Sequence, residues 1–370
     1  MYLQKLNLAN FKNYPAIELD FSDKINSFVG NNGVGKTNLL DAIHYLSFCK
    51  SYFNIIDTQN IRHDEDFFMI QGVFVKNPES PDSLICTQKR NQRKVVKLNK
   101  KEYERLSDHI GLFPLVMISP HDSNIIYEGS EERRRFIDSF ISQFDRVYLD
   151  TLINYNKALY QRNSLLKIFY ETRSFDKDAL EIWDSQLITL GTKIHSKRLS
   201  FIEDFTPFFN RFYQYISGNK EQVSITYDSH LNDNSFEVML TESLPKDRMV
   251  QYTTTGIHKD DLIFAINGFQ LRKFGSQGQQ KSFTIAIKLA QFEYTKNSKG
   301  FKPILLFDDI FDKLDDERVE HIIKLATDHN FGQVFITDTQ KDRIVNTMKK
   351  INSPGKVFII ENNNASELEL

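Results

Sequence analysis

Residues 30–37 read Gly-Asn-Asn-Gly-Val-Gly-Lys-Thr, a complete G-x-x-x-x-G-K-T loop. Its flanks fit the pattern. Ile25 to Val29 is an apolar run of strand length before the loop, and Leu39, Leu40, Ile43 and Leu46 recur at helical spacing after it. Glycines let backbone N–H groups curl around a β-phosphate, and the following helix start adds partial positive charge. The sequence therefore predicts that Gly30, Asn31, Asn32, Gly33, Val34, Gly35, Lys36 and Thr37 cradle the phosphates of ATP. Lys36 would reach the β- and γ-phosphates, and the Thr37 hydroxyl would hold Mg²⁺.

A second apolar strand, Pro303 to Phe307, runs into Asp308-Asp309. Acid pairs after apolar strands also arise by chance, but a phosphate loop gives this one a task. Asp308 would ligate Mg²⁺ through water, and Asp309 would polarise the attacking water, so Lys36, Asp308 and Asp309 form the expected catalytic set. A compact nucleotide-binding domain would close within one lobe. Here a large segment separates residue 36 from residue 308, and its texture is helical. Phe140, Phe144, Tyr148, Leu152, Tyr155 and Leu159 recur at steps of four and three, and after a polar break at Thr172 to Asp178 a second stripe runs through Leu190, Ile194, Phe201, Phe205, Phe208 and Phe212. Two such helices pack most simply as an antiparallel hairpin, each about 30 to 40 residues long and so roughly 45 to 60 Å.

Ser276-Gln277-Gly278-Gln279-Gln280-Lys281 opens a further helix and resembles the S-G-G-Q type signature of the ABC superfamily. A capping serine and a glycine that permits close approach make a second anion-binding helix end. In that superfamily this end meets the γ-phosphate held by another subunit, which nominates Ser276, Gly278 and Gln279 as nucleotide contacts. Leu314-Asp315-Asp316 resembles the D-loop. Asp338-Thr339 stands where transporter-type relatives place a switch histidine, so one of those two residues would have to serve instead. The expected fold is α/β, an ABC/SMC-like P-loop ATPase head split by an inserted helical arm. Residues 1–122 and 250–370 would form the head, and residues 123–249 the arm. The polar tail from Asn362 to Leu370 reads as frayed.

With 47 basic and 49 acidic residues the net charge is −2, so any surface for DNA must be local. Lys89, Arg90, Arg93, Lys94, Lys97, Lys100 and Lys101 crowd one expected hairpin with no acid among them, and Arg133-Arg134-Arg135 is a second basic run. Such patches neutralise phosphates without reading sequence. The two cysteines, Cys49 and Cys86, suit neither a disulfide framework nor a zinc site and fit a reducing, cytoplasmic compartment. No apolar run approaches the roughly 20 residues that a membrane span needs.

Several blocks resemble the RecF family: Asn10-Phe11-Lys12-Asn13-Tyr14 at the entry, Gly129-Ser130 with Arg133-Arg134 and Phe136-Ile137-Asp138, and Tyr155, Leu159, Gln161-Arg162-Asn163 and Leu165-Leu166-Lys167. Gly256-Ile257-His258-Lys259-Asp260-Asp261-Leu262 and Phe274-Gly275-Ser276 continue it, with Ile257 and Lys259 replacing the usual proline and arginine. Phe53-Asn54 stands where many members carry a further arginine. The resemblance implies an ATP-dependent DNA-binding protein of recombinational repair, replication-fork maintenance and the SOS response. It would dimerise around ATP and Mg²⁺ on gapped DNA, reset by weak DNA-stimulated hydrolysis, and help RecR and RecO load recombinase. The helical insertion and the missing switch histidine argue against a transporter ATPase. An SMC-like tether would need far longer heptad-bearing arms. The short stretch after Thr339 leaves no room for the extra metal-carboxylate domain of an overcoming-lysogeny nuclease.

Overall fold

The computed structural model describes residues 1–219, 221–309, 331–351 and 355–368. The chain folds into two compact units, Met1–Asp122 with Gln291–Leu370, and Ser123–Ala290.

In the first unit, alternating apolar residues produce the hairpin β1 (Tyr2–Phe11) and β2 (Tyr14–Asp20), with Leu3, Leu6, Leu8 and Phe11 turned inward. β3 (Ile25–Val29) is buried at every position and delivers the chain to the phosphate loop and α1 (Lys36–Phe48). β4 (Phe67–Val75), β5 (Asp82–Lys89), β6 (Val95–Leu98) and β7 (Lys101–Glu102) complete an antiparallel sheet in the order β2-β1-β4-β5-β6-β7. β8 (Leu115–Ile118) then returns to the layer of β3. Leu39, Leu40, Ile43 and Leu46 of α1 pack in one core with residues of both sheets.

The second unit begins with α2 (Asn124–Tyr127), α3 (Ser130–Ile141), α4 (Arg146–Thr172) and α5 (Lys177–Ser217). Side chains of Asp145 and Asp176 accept hydrogen bonds from the Tyr148 and Ala179 N–H groups and so start the two long helices. Arg173 and Gly218, both left-handed, end them. Arg162 meets Asp184 and Arg198 meets Tyr148, so partners advance along α5 as they retreat along α4: the pair is antiparallel. Ile194, Phe201 and Phe205 of the second stripe are buried as expected, whereas Leu190, Phe208 and Phe212 are half-buried and Phe209 and Tyr213 are buried in their place. The helix runs on through Pro207, and its inner face carries Leu187, Gly191, Ile194 and Arg198, a small and a charged residue that an apolar count passes over.

β9 (Val223–Asp228), α6 (Phe236–Val250), β10 (Asp261–Ile266), β11 (Phe269–Gln270) and α7 (Leu271–Phe274) follow. β9 pairs antiparallel with β10 from Val223 opposite Ile266 to Asp228 opposite Asp261. This pairing corrects the expected boundary at residue 249: the strands after it are tied to the arm, and the unit ends at Ala290 inside α8 (Gln277–Lys299).

The chain then re-enters the first unit through β12 (Ile304–Phe307), β13 (Val334–Asp338), α9 (Lys341–Ile351), β14 (Gly355–Glu361) and β15 (Asn364–Leu368). Its sheet order is β15-β14-β3-β13-β12-β8, parallel except for β15. Of the tail expected to fray, Asn364–Leu368 is a hairpin strand instead. Asn362 and Asn363 both take positive φ, 47° and 63°, as a two-residue turn requires. The expected D-loop residues, Leu314, Asp315 and Asp316, lie outside the described residues.

Candidate nucleotide site

In a parallel sheet the carboxyl ends of the strands share one edge, and here they bring the motif residues together. The β3–β13–β12 order, with Asp338 level with Val29 and Phe307 level with Ile336, sets the loop after β3, the end of β13 and the acids after β12 side by side. Gly35 takes φ 108°, and a Cβ there would stand 2.4 Å from Asn13 Nδ2, so both conformation and space demand glycine. Asn13 also donates to the Val34 carbonyl (3.1 Å) and accepts from Asn38 Nδ2 (2.7 Å), while Tyr14 donates to the Gly35 carbonyl (3.1 Å). The β1–β2 turn therefore braces the loop. No side chain caps the first turn of α1 and no acid stands in it, which leaves that turn's N–H groups facing a would-be anion. Lys36 Nζ lies over the loop, donating to the carbonyls of Gly30 (2.8 Å) and Asn31 (2.9 Å).

Across the cleft, Thr37 Oγ1 donates to Asp308 Oδ1 at 2.8 Å, although the two residues lie far apart in sequence. Thr337 Oγ1 donates to the same oxygen at 2.9 Å and accepts the Asp309 N–H at 2.9 Å. Burial pushes the Asp308 carboxyl above its usual pKa, against these two hydroxyl donors. A buried carboxylate beside a second carboxylate and a hydroxyl is a donor set that fits Mg²⁺, with phosphate oxygens and waters completing the shell. The loop N–H groups and Lys36 fit a polyphosphate. Thr337 was not singled out in the sequence; its signal is a hydroxyl directly after the apolar run Val334 to Ile336.

Asp338 is engaged elsewhere. Its carboxylate takes two donors from Arg343 (2.9 and 2.7 Å) and one from the Gln340 N–H (2.8 Å), and its carbonyl accepts the Gly30 N–H (3.3 Å). It shapes the loop, and Thr339 is the half-buried residue beside it.

At the start of α8, Ser276 Oγ accepts the Gln279 N–H (3.2 Å) and Gln279 Oε1 accepts the Ser276 N–H (2.7 Å), a reciprocal capping box. Gln279 Nε2 also donates to Glu221 (2.7 Å). Ser276 and Gly278 are exposed, and a Cβ on Gly278 would meet only Ser276 Oγ, at 4.0 Å. Nothing within the described residues demands glycine there.

Residues 2–364 match the RecF/RecN/SMC N terminal domain family. The DNA replication and repair protein RecF of Flavobacterium johnsoniae is 51% identical over 358 residues, covering 97% of this chain and 99% of that protein. The chain belongs to the RecF family. A solved structure of "the recombination mediator protein RecF-ATP in RecFOR pathway" superposes with a TM-score of 0.90 at 32% identity, covering 100% of this chain and 98% of the other. The Smc head domain of Pyrococcus furiosus, at 17% identity and a TM-score of 0.57, covers 100% of this chain and 96% of its own, and shares the fold. The split P-loop head with an inserted helical arm is thus the architecture of this chain.

The blocks that carried the RecF resemblance in the arm form an ionic framework. Arg198 bridges Asp138 (2.9 Å) and Asp260 (2.9 Å), and Arg162 bridges Asp184 (2.5 Å) and Asp247 (2.7 Å); both arginines are fully buried. Arg133 is nearly buried, paired with Asp261 (2.6 Å) and donating to the Ile125 and Glu128 carbonyls. Arg134 donates to the Asp260 carbonyl (2.6 Å) and Arg135 pairs with Glu131 and Glu132. Arg133 and Arg134 are therefore internal scaffolding, and Arg135 is an exposed residue in surface ion pairs. His258 is held neutral between Tyr155 and the Thr253 carbonyl, its pKa lowered to about 4 by burial. In the basic hairpin, Lys94 turns inward onto Asp57 (2.6 Å) and the Cys49 carbonyl, so it is withdrawn from any DNA surface. Lys89, Lys97, Lys100 and Lys101 remain exposed.

Proposed function

We propose that this chain is an ATP-hydrolysing switch of DNA replication and repair that engages DNA as an ATP-bound homodimer. The observation that carries the enzymatic part is the convergence of Thr37 on Asp308, which joins the phosphate loop to the acid pair. Lys36 binds the β- and γ-phosphates in place of the two loop carbonyls it now contacts, and Thr37 and Asp308 hold Mg²⁺. The metal, when bound, neutralises charge on the bridging phosphate oxygens. Asp309 orients the attacking water, and Thr337 fixes Asp309 through its N–H. Hydrolysis is slow and DNA-stimulated, so that it resets the dimer.

The exposed Ser276–Gly278 end, where glycine leaves room unused within its own unit, suits close approach by the nucleotide of a second copy. ATP then stabilises the dimer because it binds that state preferentially. Gapped DNA is held by exposed lysines of the β5–β7 hairpin, and RecR, with RecO, is the partner in recombinase loading, in a cytoplasmic setting. Among the described residues no helix is long and apolar enough to cross a membrane.

Ser276→Arg tests the trans arrangement. It leaves monomer ATP binding intact, since the phosphate loop is untouched, and abolishes ATP-induced dimers and hydrolysis in sedimentation and turnover assays. Mixing it with Lys36→Ala restores at most one working site per heterodimer. Wild-type dimerisation and turnover by Ser276→Arg would sink the sandwich.

A further inference from the structure

β9 is the outer strand of the β11-β10-β9 sheet, and among the described residues no strand pairs with its other edge. Asn267 N–H donates to the Gln222 carbonyl at 2.7 Å, which fixes those two residues as a hydrogen-bonded pair. By antiparallel alternation, Ser224, Thr226 and Asp228 bond to β10, whereas the N–H and C=O groups of Val223, Ile225 and Tyr227 aim outward. The Asn232 side chain takes the outward Tyr227 carbonyl (3.1 Å).

A groove follows this open edge along α5. One cavity of about 630 Å³ lies between Leu199, Ile202 and Pro207 of the helix and Ile225 of the strand, with Glu203 in its wall. A second, of about 280 Å³, continues it past Val223, with Glu221 in its wall. Asn210 lines both, and its Oδ1 is buried without a hydrogen-bond partner. Each wall therefore carries one charged side chain, and both are carboxylates. Native sheets usually block or charge such an edge because it templates pairing with another chain.

We propose that the β9 edge is a docking site for an extended segment of a partner protein that turns apolar and basic residues to the same face. The segment adds a fourth strand beside β9, its backbone bonding to Val223 and Ile225. Its apolar side chains enter the groove against Ile202, Pro207 and Ile225, and a cation on that same face meets Glu203, since both oxygens of Glu221 already accept from Tyr213 and Gln279. Asn210 Oδ1 accepts a donor from the same segment. A free basic ligand would satisfy Glu203 alone; the strand edge adds the demand for an unblocked backbone.

The test uses the full chain and a fluorescein-labelled hexapeptide, Val-Thr-Ile-Thr-Lys-Thr, which sets two apolar residues and a lysine on one face and is read by anisotropy. Three comparisons separate strand pairing from charge: the peptide with glutamate replacing lysine, the peptide N-methylated on the residues that face β9, and the Val223→Pro chain. Proline at an outward-facing edge position removes a donor without breaking the β9–β10 ladder. The parent peptide binds and protects the Val223 and Ile225 amides from hydrogen exchange. Each of the three changes weakens binding by about tenfold or more, as loss of hydrogen bonds or charge contacts predicts. Failure of the parent peptide to bind, or equal binding by its N-methylated form, overturns the proposal; the latter outcome holds even if Val223→Pro fails to fold.

Discussion

At Asp308 a single carboxylate oxygen accepts two hydroxyl donors, whereas its neighbour Asp309, at φ 45°, is tied to Thr337 through its N–H. The proposed function gives the two acids separate roles. Asp309→Asn is expected to retain ATP binding and slow hydrolysis by about a hundredfold or more, the usual weight of a positioned base; single-turnover kinetics reads both. Lys36→Ala is expected to abolish binding of labelled ATP, because the loop loses its positioned cation. His258 gives a pH signature in stability. Its folded pKa of about 4 lies below the ordinary 6.5, so the unfolded chain takes up the proton first as pH falls. Stability from this group is complete above 6.5 and is lost between there and about 4, and His258→Gln is expected to flatten that part of a thermal-melt series. Lys36, Thr37 and Asp308 were legible because each belongs to a motif local in sequence. Thr337 and Asn13 gain their meaning from strand order and from a turn folded across the loop, which no local pattern encodes.

Elements show the same division between pattern and context. Periodicity located the two long arm helices and the break between them, but the stripe from Phe140 through Phe144 to Tyr148 crosses the junction between α3 and α4, where Asp145 caps a new helix. It found Ile194, Phe201 and Phe205 on the buried face of the second but passed over Arg198 and Gly191, which occupy core positions there. Arg198→Ala leaves Asp138 and Asp260 without their shared cation, and denaturant titration is expected to show a loss of about 3–5 kcal/mol. The charge run on the β5–β7 hairpin was equally visible, but the inward turn of Lys94 was not. Neutralising Lys97 and Lys100 together is expected to flatten the salt dependence of DNA binding by up to about two units in the logarithmic slope. Lys94→Ala, by contrast, is expected to leave that slope unchanged and to lower the unfolding midpoint, since Asp57 loses its ion pair.

For the molecule as a whole, the spacing between phosphate loop and acid pair foretold a divided head, and only pairing across β9 and β10 revealed where the second division falls. The division has a consequence for how the protein is made. Both neighbours of β3 in its sheet, β13 and β14, come from the second half of the head. The other sheet draws all six strands from the first half and can assemble early. On the ribosome, therefore, the phosphate loop emerges ahead of every strand that will flank β3, and it must wait through synthesis of the entire arm. A chain stalled after the arm would own a finished hairpin of helices and a phosphate loop whose strand, β3, lacks both its parallel neighbours, and only the closing strands convert that loop into a site.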